Sequence, residues 1–134
     1  MDNVPYASGV GSLMYAMVCA RPDLAQAMCI VSKFISNPGE SHWEALKWIL
    51  RYIKDTLDVG LIYDSSFTNK DEVVGYVDSD YAGCLDTRRS TTGYVFIAQG
   101  GCINWKATLQ KVVALSSTEA EYMAVTEAID NSTK

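Results

Sequence analysis

The chain has 134 residues, enough for one sizeable core or a helical segment joined to a small domain, and its 49% apolar and 20% charged composition is that of a folded protein. Its net charge of −5 excludes strong nonspecific attraction to nucleic acid, so any such binding has to be local and metal-assisted. No stretch approaches the roughly 20 apolar residues that a membrane span needs, and Cys19, Cys29, Cys84 and Cys102 lack the C-x-x-C spacing and histidines of a zinc site, which leaves isolated thiols.

The apolar period is helical from Pro5 to Gly60 and strand-like from Leu61 to Leu115, dividing the chain into a helical segment over 1–60 and a second domain over 61–134. Val10 to Val18 is mostly apolar and leads to Val18-Cys19-Ala20, small residues of the kind that end a signal peptide. The alternative is an ordinary core helix, and the absence of a basic start, where the early charge is Asp2, points that way. Pro22 fits the opening turn of a helix that presents Leu24, Ala27, Met28, Val31 and Phe34 or Ile35 on one face and stops at Asn37-Pro38-Gly39. Ser41-His42-Trp43-Glu44 reads as a capping box, in which Ser41 accepts from the amide of Glu44 and Glu44 reaches back to that of Ser41. The helix so opened should run to about Asp58 and bury Trp43, Leu46, Leu50 and Ile53, leaving Lys47, Arg51 and Lys54 outside. His42, the sole histidine, falls in its first turn as a solvated surface residue, with no second histidine or cysteine at metal-ligand spacing.

Strands are predicted at Leu61 to Tyr63, Val73 to Asp78, Thr91 to Ala98 and Cys102 to Leu115, the last with a bulge or break at Gln110-Lys111. Gln99-Gly100-Gly101 is the hairpin between the third and fourth. Ser116 or Ser117 then caps a final helix containing Ala120, Ala124, Val125, Ala128 and Ile129.

Acidic residues stand where rigid elements end and begin. Asp78 closes its strand and Glu121 lies in the first turns of the final helix, so the two carboxylates are candidates to hold a divalent cation over one edge of the sheet. Alternation puts Asp80 on the same side as Asp78, as an auxiliary ligand, while Glu119 is near enough in sequence to be confused with Glu121. Helix capping and acidic turns after strands explain the same residues without a metal. The arginines and hydroxyls of Asp86-Thr87-Arg88-Arg89-Ser90-Thr91-Thr92-Gly93 suit phosphate contacts and suit a solvated hairpin loop equally.

Val73 to Gly83, Arg88-Arg89-Ser90-Thr91-Thr92-Gly93-Tyr94, Trp105-Lys106, Gln110-Lys111 and Ala114-Leu115-Ser116-Ser117-Thr118-Glu119-Ala120-Glu121-Tyr122 together resemble the RNase H domain of copia-type retrotransposon polyproteins. The preceding Pro5-Tyr6-Ala7-Ser8, Gly11-Ser12-Leu13-Met14-Tyr15, Arg21-Pro22-Asp23 and the stretch from His42-Trp43 to Arg51-Tyr52 resemble the segment that links reverse transcriptase to RNase H in those polyproteins. The resemblance implies an α+β chain, with N-terminal helices followed by an incomplete RNase H-like mixed sheet and one packed helix. It implies Mg²⁺ or Mn²⁺ as the metal, an RNA–DNA hybrid as the substrate, and Asp78 and Glu121 as the first two catalytic carboxylates.

The family also supplies a third aspartate from a later strand, in an Asp-Asn context. Asp130-Asn131-Ser132 carries that dipeptide but lies nine residues past Glu121, within the same helix, and is not given the role. The resemblance thus implies a truncated domain whose hydrolytic site is crippled, a remnant rather than a working enzyme, with an open sheet edge available for self-association. The chain is also similar to short retroelement-like proteins named secreted RxLR effectors, from oomycete pathogens of plants. That resemblance implies the alternative of a secreted protein that contacts a host protein and suppresses defence-related cell death. The class's own Arg-x-Leu-Arg is absent; Trp48-Ile49-Leu50-Arg51 holds its second half.

Overall fold

The computed structural model describes residues 4–64, 66 and 72–132. The chain divides into two compact units, Met1–Leu61 and Ile62–Lys134. The first contains α1 (Tyr6–Ala20), a short 3₁₀ turn (Pro22–Leu24), α2 (Ala25–Ser32) and α3 (Glu40–Asp55). The second contains β1 (Val73–Ser79), β2 (Thr91–Ala98), β3 (Gly101–Leu109) and α4 (Ser117–Ser132), so the class is α+β with an open sheet.

In the helical unit, Tyr6, Val10 and Leu13 of α1 meet Leu24, Met28 and Val31 around α2 and Leu46 and Ile49 of α3 in one buried cluster. The apolar run that begins at Val10 therefore serves as a core helix, while Val18, Cys19 and Ala20 at its end are exposed. Tyr6 is buried but keeps its hydroxyl satisfied, donating to the carbonyl of Val31 at 2.7 Å. The buried stripe of α3 differs from the predicted one by a rotation: Ile49 is in the core and Leu50 is 45% exposed, with Trp43 and Ile53 partly buried at its margins. Leu46-Ile49-Ile53 and Leu46-Leu50-Ile53 both satisfy helical spacing, so only the position of the neighbouring helices chooses between them.

The start of α3 also differs. Gly39, rather than Ser41, precedes the first helical residue, and its N–H donates to Nδ1 of His42 at 2.8 Å. His42 thus takes the reaching-back part assigned to Glu44, and its ring stacks on Phe34 with centroids 3.8 Å apart. It is a half-buried structural residue, not a solvated one. Glu44 instead pairs with Lys47 one turn on. At the other end, α3 stops at Asp55, short of Asp58, where Thr56 turns its main-chain carbonyl and hydroxyl oxygens to the guanidinium of Arg21.

In the second unit the three strands pair in the order β1-β2-β3, each pair antiparallel, where a mixed sheet was predicted. Successive strands joined by a turn or a loop pair this way, whereas a parallel pair needs a crossover. Gln99 and Gly100, with φ of 51° and 75°, form the two-residue turn between β2 and β3, the left-handed pair that a tight hairpin requires. Leu61 to Tyr63 is not a strand. Ile62 and Tyr63 lie beside that turn, where Tyr63 donates its hydroxyl to the carbonyl of Cys102 at 2.7 Å and its ring covers Gly101, leaving no room there for a side chain.

The fourth predicted strand ends early as well. β3 stops at Leu109 because its partner β2 begins at Thr91, and the two are opposed in register. Val112, Val113 and Leu115 are exposed and Ala114 is buried in an irregular run to α4. Ala120, Ala124 and Ala128, one turn apart, form the buried face of α4, and α4 packs against β1 and β2 through this row. Small side chains let the helix axis approach the sheet; Val125 and Ile129 face outward.

Candidate metal-binding carboxylates

Four acidic residues, Asp78, Asp80, Glu119 and Glu121, stand where β1 ends and α4 begins. Both elements are anchored there: Tyr81, just past β1, donates to the carbonyl of Leu115, just before α4, at 3.3 Å. Gln110 at the end of β3 donates its main-chain N–H to the carbonyl of Ser90 at 2.9 Å and its side-chain nitrogen to the carbonyl of Ala120 at the same distance. Asp78 and Glu121 therefore lie toward the same end of the sheet.

Two of the four carboxylates accept from main-chain amides beyond their own chain neighbours. Asp80 accepts from the N–H of Thr91 through Oδ1, while its Oδ2 lies against Gly83, so close that a Cβ there would be 2.2 Å away. Its own N–H donates to the carbonyl of Thr91 at 3.2 Å, so Asp80 closes the neck of the loop between β1 and β2. Glu119 accepts from the N–H of Leu115 at 2.6 Å, and its N–H donates to Oγ of Ser116 at 3.1 Å. This reciprocal arrangement makes Ser116 the N-cap and Glu119 the third helical residue of a capping box, shifted by one residue on the returning side.

The other two make no such bond among the described residues and are exposed, as Asp80 also is. Asp78 accepts from the N–H of Ser79 through Oδ1 at 2.9 Å and is otherwise exposed. Glu121 is exposed and makes no hydrogen bond or ion pair among the described residues. It lies on the flank of α4 nearer β1, because the opposite flank, with Tyr122, Met123 and Glu127, faces Lys106 and Gln110 of the β3 side. Asp78 stands opposite Gly93, between the pairs Val77–Tyr94 and Ser79–Thr92. Tyr94 and Thr92 are buried beneath α4, so the pleat turns Asp78 to the other face of the sheet. Asp78 thus points to the face of the sheet away from α4, the helix that carries Glu121. No contact joins the two carboxylates, and among the described residues no three acidic, cysteine or histidine side chains converge as a metal site.

The donor set is all carboxylate oxygen, the chemistry that Mg²⁺ and Mn²⁺ prefer. Two such groups fit a cation as part of a site, with its other positions filled by water or substrate oxygens. Asp130 and Asn131 lie in the last turns of α4, as predicted. A groove of about 530 Å³ lies on the β3 side of α4, lined by Lys106, Gln110, Tyr122, Met123, Glu127 and Asn131 among others. Glu119 borders it, whereas Asp78 and Glu121 do not.

The residue that the sequence reading undervalued is Gln110. It is 2% exposed, and its side-chain nitrogen bridges Thr92 at 3.1 Å and Ala120. A break at a glutamine after a strand is its signal in the sequence, but a break does not reveal what the side chain holds.

Among known proteins, the chain is 56% identical over 128 residues to the retrovirus-related Pol polyprotein from transposon TNT 1-94 of Nicotiana tabacum, a match covering 95% of this chain and 9% of that protein. It is 40% identical over 124 residues to the Pol polyprotein from transposon RE2 of Arabidopsis thaliana, covering 92% and 8%. The chain therefore spans less than a tenth of the length of these polyproteins. It is 52% identical over 128 residues to secreted RxLR effector protein 161 of Plasmopara viticola, covering 96% of this chain and 89% of that protein. No protein-family model and no solved structure matches the chain.

Proposed function

This chain belongs to the family of copia-type retrotransposon Pol polyproteins, and on that premise we propose that its second unit is an RNase H-like domain carrying two carboxylates of a divalent-metal site for cutting RNA in an RNA–DNA hybrid. Asp78 and Glu121 hold the Mg²⁺ or Mn²⁺, and the bound metal supplies activation of water and stabilisation of the leaving oxygen. Asp80 shapes the loop beside them and contributes to the metal only as an auxiliary. The observation that supports this reading is that Asp78 at the end of β1 and Glu121 in the first turns of α4 are both exposed at the same end of the sheet, Asp78 bonded among the described residues only to the amide of its neighbour Ser79, while Asp80 and Glu119 accept from the more distant amides of Thr91 and Leu115. By itself the described pair is catalytically incomplete, since a two-metal hydrolytic site needs further carboxylates to fix both cations.

The test is cleavage of a labelled RNA–DNA hybrid by the purified chain with Mg²⁺ or Mn²⁺, beside Asp78→Asn and Glu121→Gln. The expected result is metal binding with cleavage absent or residual. Robust cleavage that both substitutions abolish would overturn the incompleteness, and an affinity for Mn²⁺ indifferent to both would overturn the site.

A second reading is supported by the effector of Plasmopara viticola, which matches over 89% of its own length. Under it the chain is a non-enzymatic secreted effector that suppresses defence-related cell death by contacting a host protein, with the exposed outer edge of β1 available for strand pairing or self-association. Expression in plant cells challenged with a cell-death elicitor separates the two: suppression retained by Asp78→Asn favours the effector, and no suppression removes it.

A further inference from the structure

Arg88 has φ of 56°, in the left-handed region that is costly for any residue bearing a Cβ and that glycine adopts freely. Its side chain is exposed, and among the described residues its guanidinium has neither an ion pair nor a hydrogen bond. The loop that holds it is ordered from within. Asp80 and Thr91 close its neck, Ser90, fully buried, accepts from the N–H of Ala82 through Oγ at 3.0 Å, and the N–H of Cys84 donates to the carbonyl of Arg89 at 3.1 Å. The N–H of Arg88 itself donates to the carbonyl of Cys84 at 2.7 Å, which fixes the turn at the unfavourable residue.

Ala82 and Gln99 share the left-handed conformation, but neither carries a charge. Arg88 places a cation, with no partner among the described residues, on a backbone-ordered loop that begins two residues after Asp78. Arg89 follows, half-buried, with Nε donating to Oγ1 of Thr87 at 3.3 Å and its terminal nitrogens left for other contacts. The other charges of the loop are Asp80, committed to Thr91, and Asp86, exposed. In a chain of net charge −5, contact with a nucleic acid has to be made by such local cations. A planar guanidinium is suited to the paired oxygens of a phosphodiester.

We propose that Arg88, with Arg89 beside it, is a phosphate-contacting site that seats the backbone of a nucleic-acid strand next to Asp78. This rests on the RNase H-like reading and adds to it the group that holds the substrate. The conformation is tolerated because the side chain is needed there, so stability and binding should respond in opposite directions to one substitution.

The experiment is fluorescence anisotropy of a labelled RNA–DNA hybrid against the full chain in Ca²⁺ over a series of salt concentrations, with thermal unfolding in parallel. Arg88→Gly is expected to raise the unfolding midpoint, to weaken hybrid binding severalfold, and to flatten the dependence of log K on log salt by about 0.9, the loss of one phosphate contact. Arg88→Ala should weaken binding equally without the gain in stability, and Arg88→Lys should retain most of the salt slope. Wild-type affinity and slope in both Arg88→Gly and Arg88→Ala would overturn the phosphate contact while leaving the carboxylate site standing. A wild-type chain with no affinity for the hybrid overturns both.

Discussion

Gln110 donates from its side-chain nitrogen to the main-chain carbonyl of Ala120 across 2.9 Å, so that one buried amide ties the end of β3 to the first turn of α4. The same nitrogen donates to Oγ1 of Thr92, while Oε1 is buried with no partner among the described residues. The orientation of the amide is dictated by Ala120, because a carbonyl only accepts. Gln110→Ala removes both bonds and opens space in a packed joint, and is expected to lower the unfolding free energy by about 2 to 4 kcal/mol. Gln110→Glu keeps the shape but sets an oxygen against a carbonyl oxygen, so it too should destabilise. Urea unfolding followed by circular dichroism measures both; a Glu variant as stable as wild type would remove Ala120 from the account.

Gly9 and Gly11 stand two residues apart in α1 and should respond oppositely to alanine. A Cβ at Gly9 would lie 2.8 Å from Cδ2 of Leu46, which is fully buried, whereas one at Gly11 would meet nothing within 4 Å. Helix propensity favours alanine at both sites by about 1 kcal/mol. At Gly11 that gain stands alone, so Gly11→Ala should stabilise by roughly 0.5 to 1 kcal/mol. At Gly9 overpacking opposes it with about 1 to 3 kcal/mol, so the balance is neutral to destabilising. Thermal unfolding of the two variants decides it, and equal gains would show that α1 and α3 are not held this close.

Asp23 gives the helical unit an acid-sensitive joint. Arg21, mostly buried, donates to both oxygens of Asp23 at 3.0 and 2.8 Å and to the carbonyl and hydroxyl of Thr56 at the end of α3, and Tyr52 donates to Asp23 at 2.9 Å. The guanidinium first, then the phenol, holds the Asp23 carboxyl below its usual value of 3.8 despite partial burial. A depressed carboxyl stabilises the fold above its unfolded value, and that contribution is lost as pH falls through the lower folded value. The unfolding midpoint should therefore fall on acidification below about pH 4, and Asp23→Asn should be less stable near neutrality with a flatter acid limb. An unchanged acid limb in the variant would show that Asp23 is not among the groups responsible.

The sequence discloses most of this fold where a local rule acts alone. Asn37-Pro38-Gly39 separates two helices, Gln99-Gly100 turns a hairpin, and Ser116 caps α4, each because backbone geometry admits few alternatives. It misleads where two local solutions are equally good. Ser41 and Glu44 make a valid capping box on paper, but the stack of His42 on Phe34 secures a start two residues earlier. The Val112 to Leu115 stretch has strand composition, yet among the described residues no partner strand extends that far. For the candidate site, the type and position of the carboxylates are legible, whereas the main-chain duties of Asp80 and Glu119 depend on amides brought close only by folding.

That division yields the sharpest prediction for the site. Removing a carboxylate that bonds an amide beyond its own chain neighbour, as Asp80 and Glu119 do, forfeits structure, while removing Asp78, bonded among the described residues only to the adjacent Ser79, or Glu121 forfeits only what it binds. Asp80→Ala should loosen the neck of the β1–β2 loop at Thr91, and Glu119→Ala should fray the start of α4, each at about 1 kcal/mol, the usual worth of a cap. Asp78→Asn and Glu121→Gln should stay within about 0.5 kcal/mol of wild type, as surface changes do, yet weaken Mn²⁺ binding measured by paramagnetic relaxation of water protons. Stability and metal affinity thus separate the four acids into two pairs. If Asp80→Ala lost metal affinity as fully as Asp78→Asn while remaining as stable as wild type, Asp80 would be a ligand, and the loop would need another explanation for its closed neck.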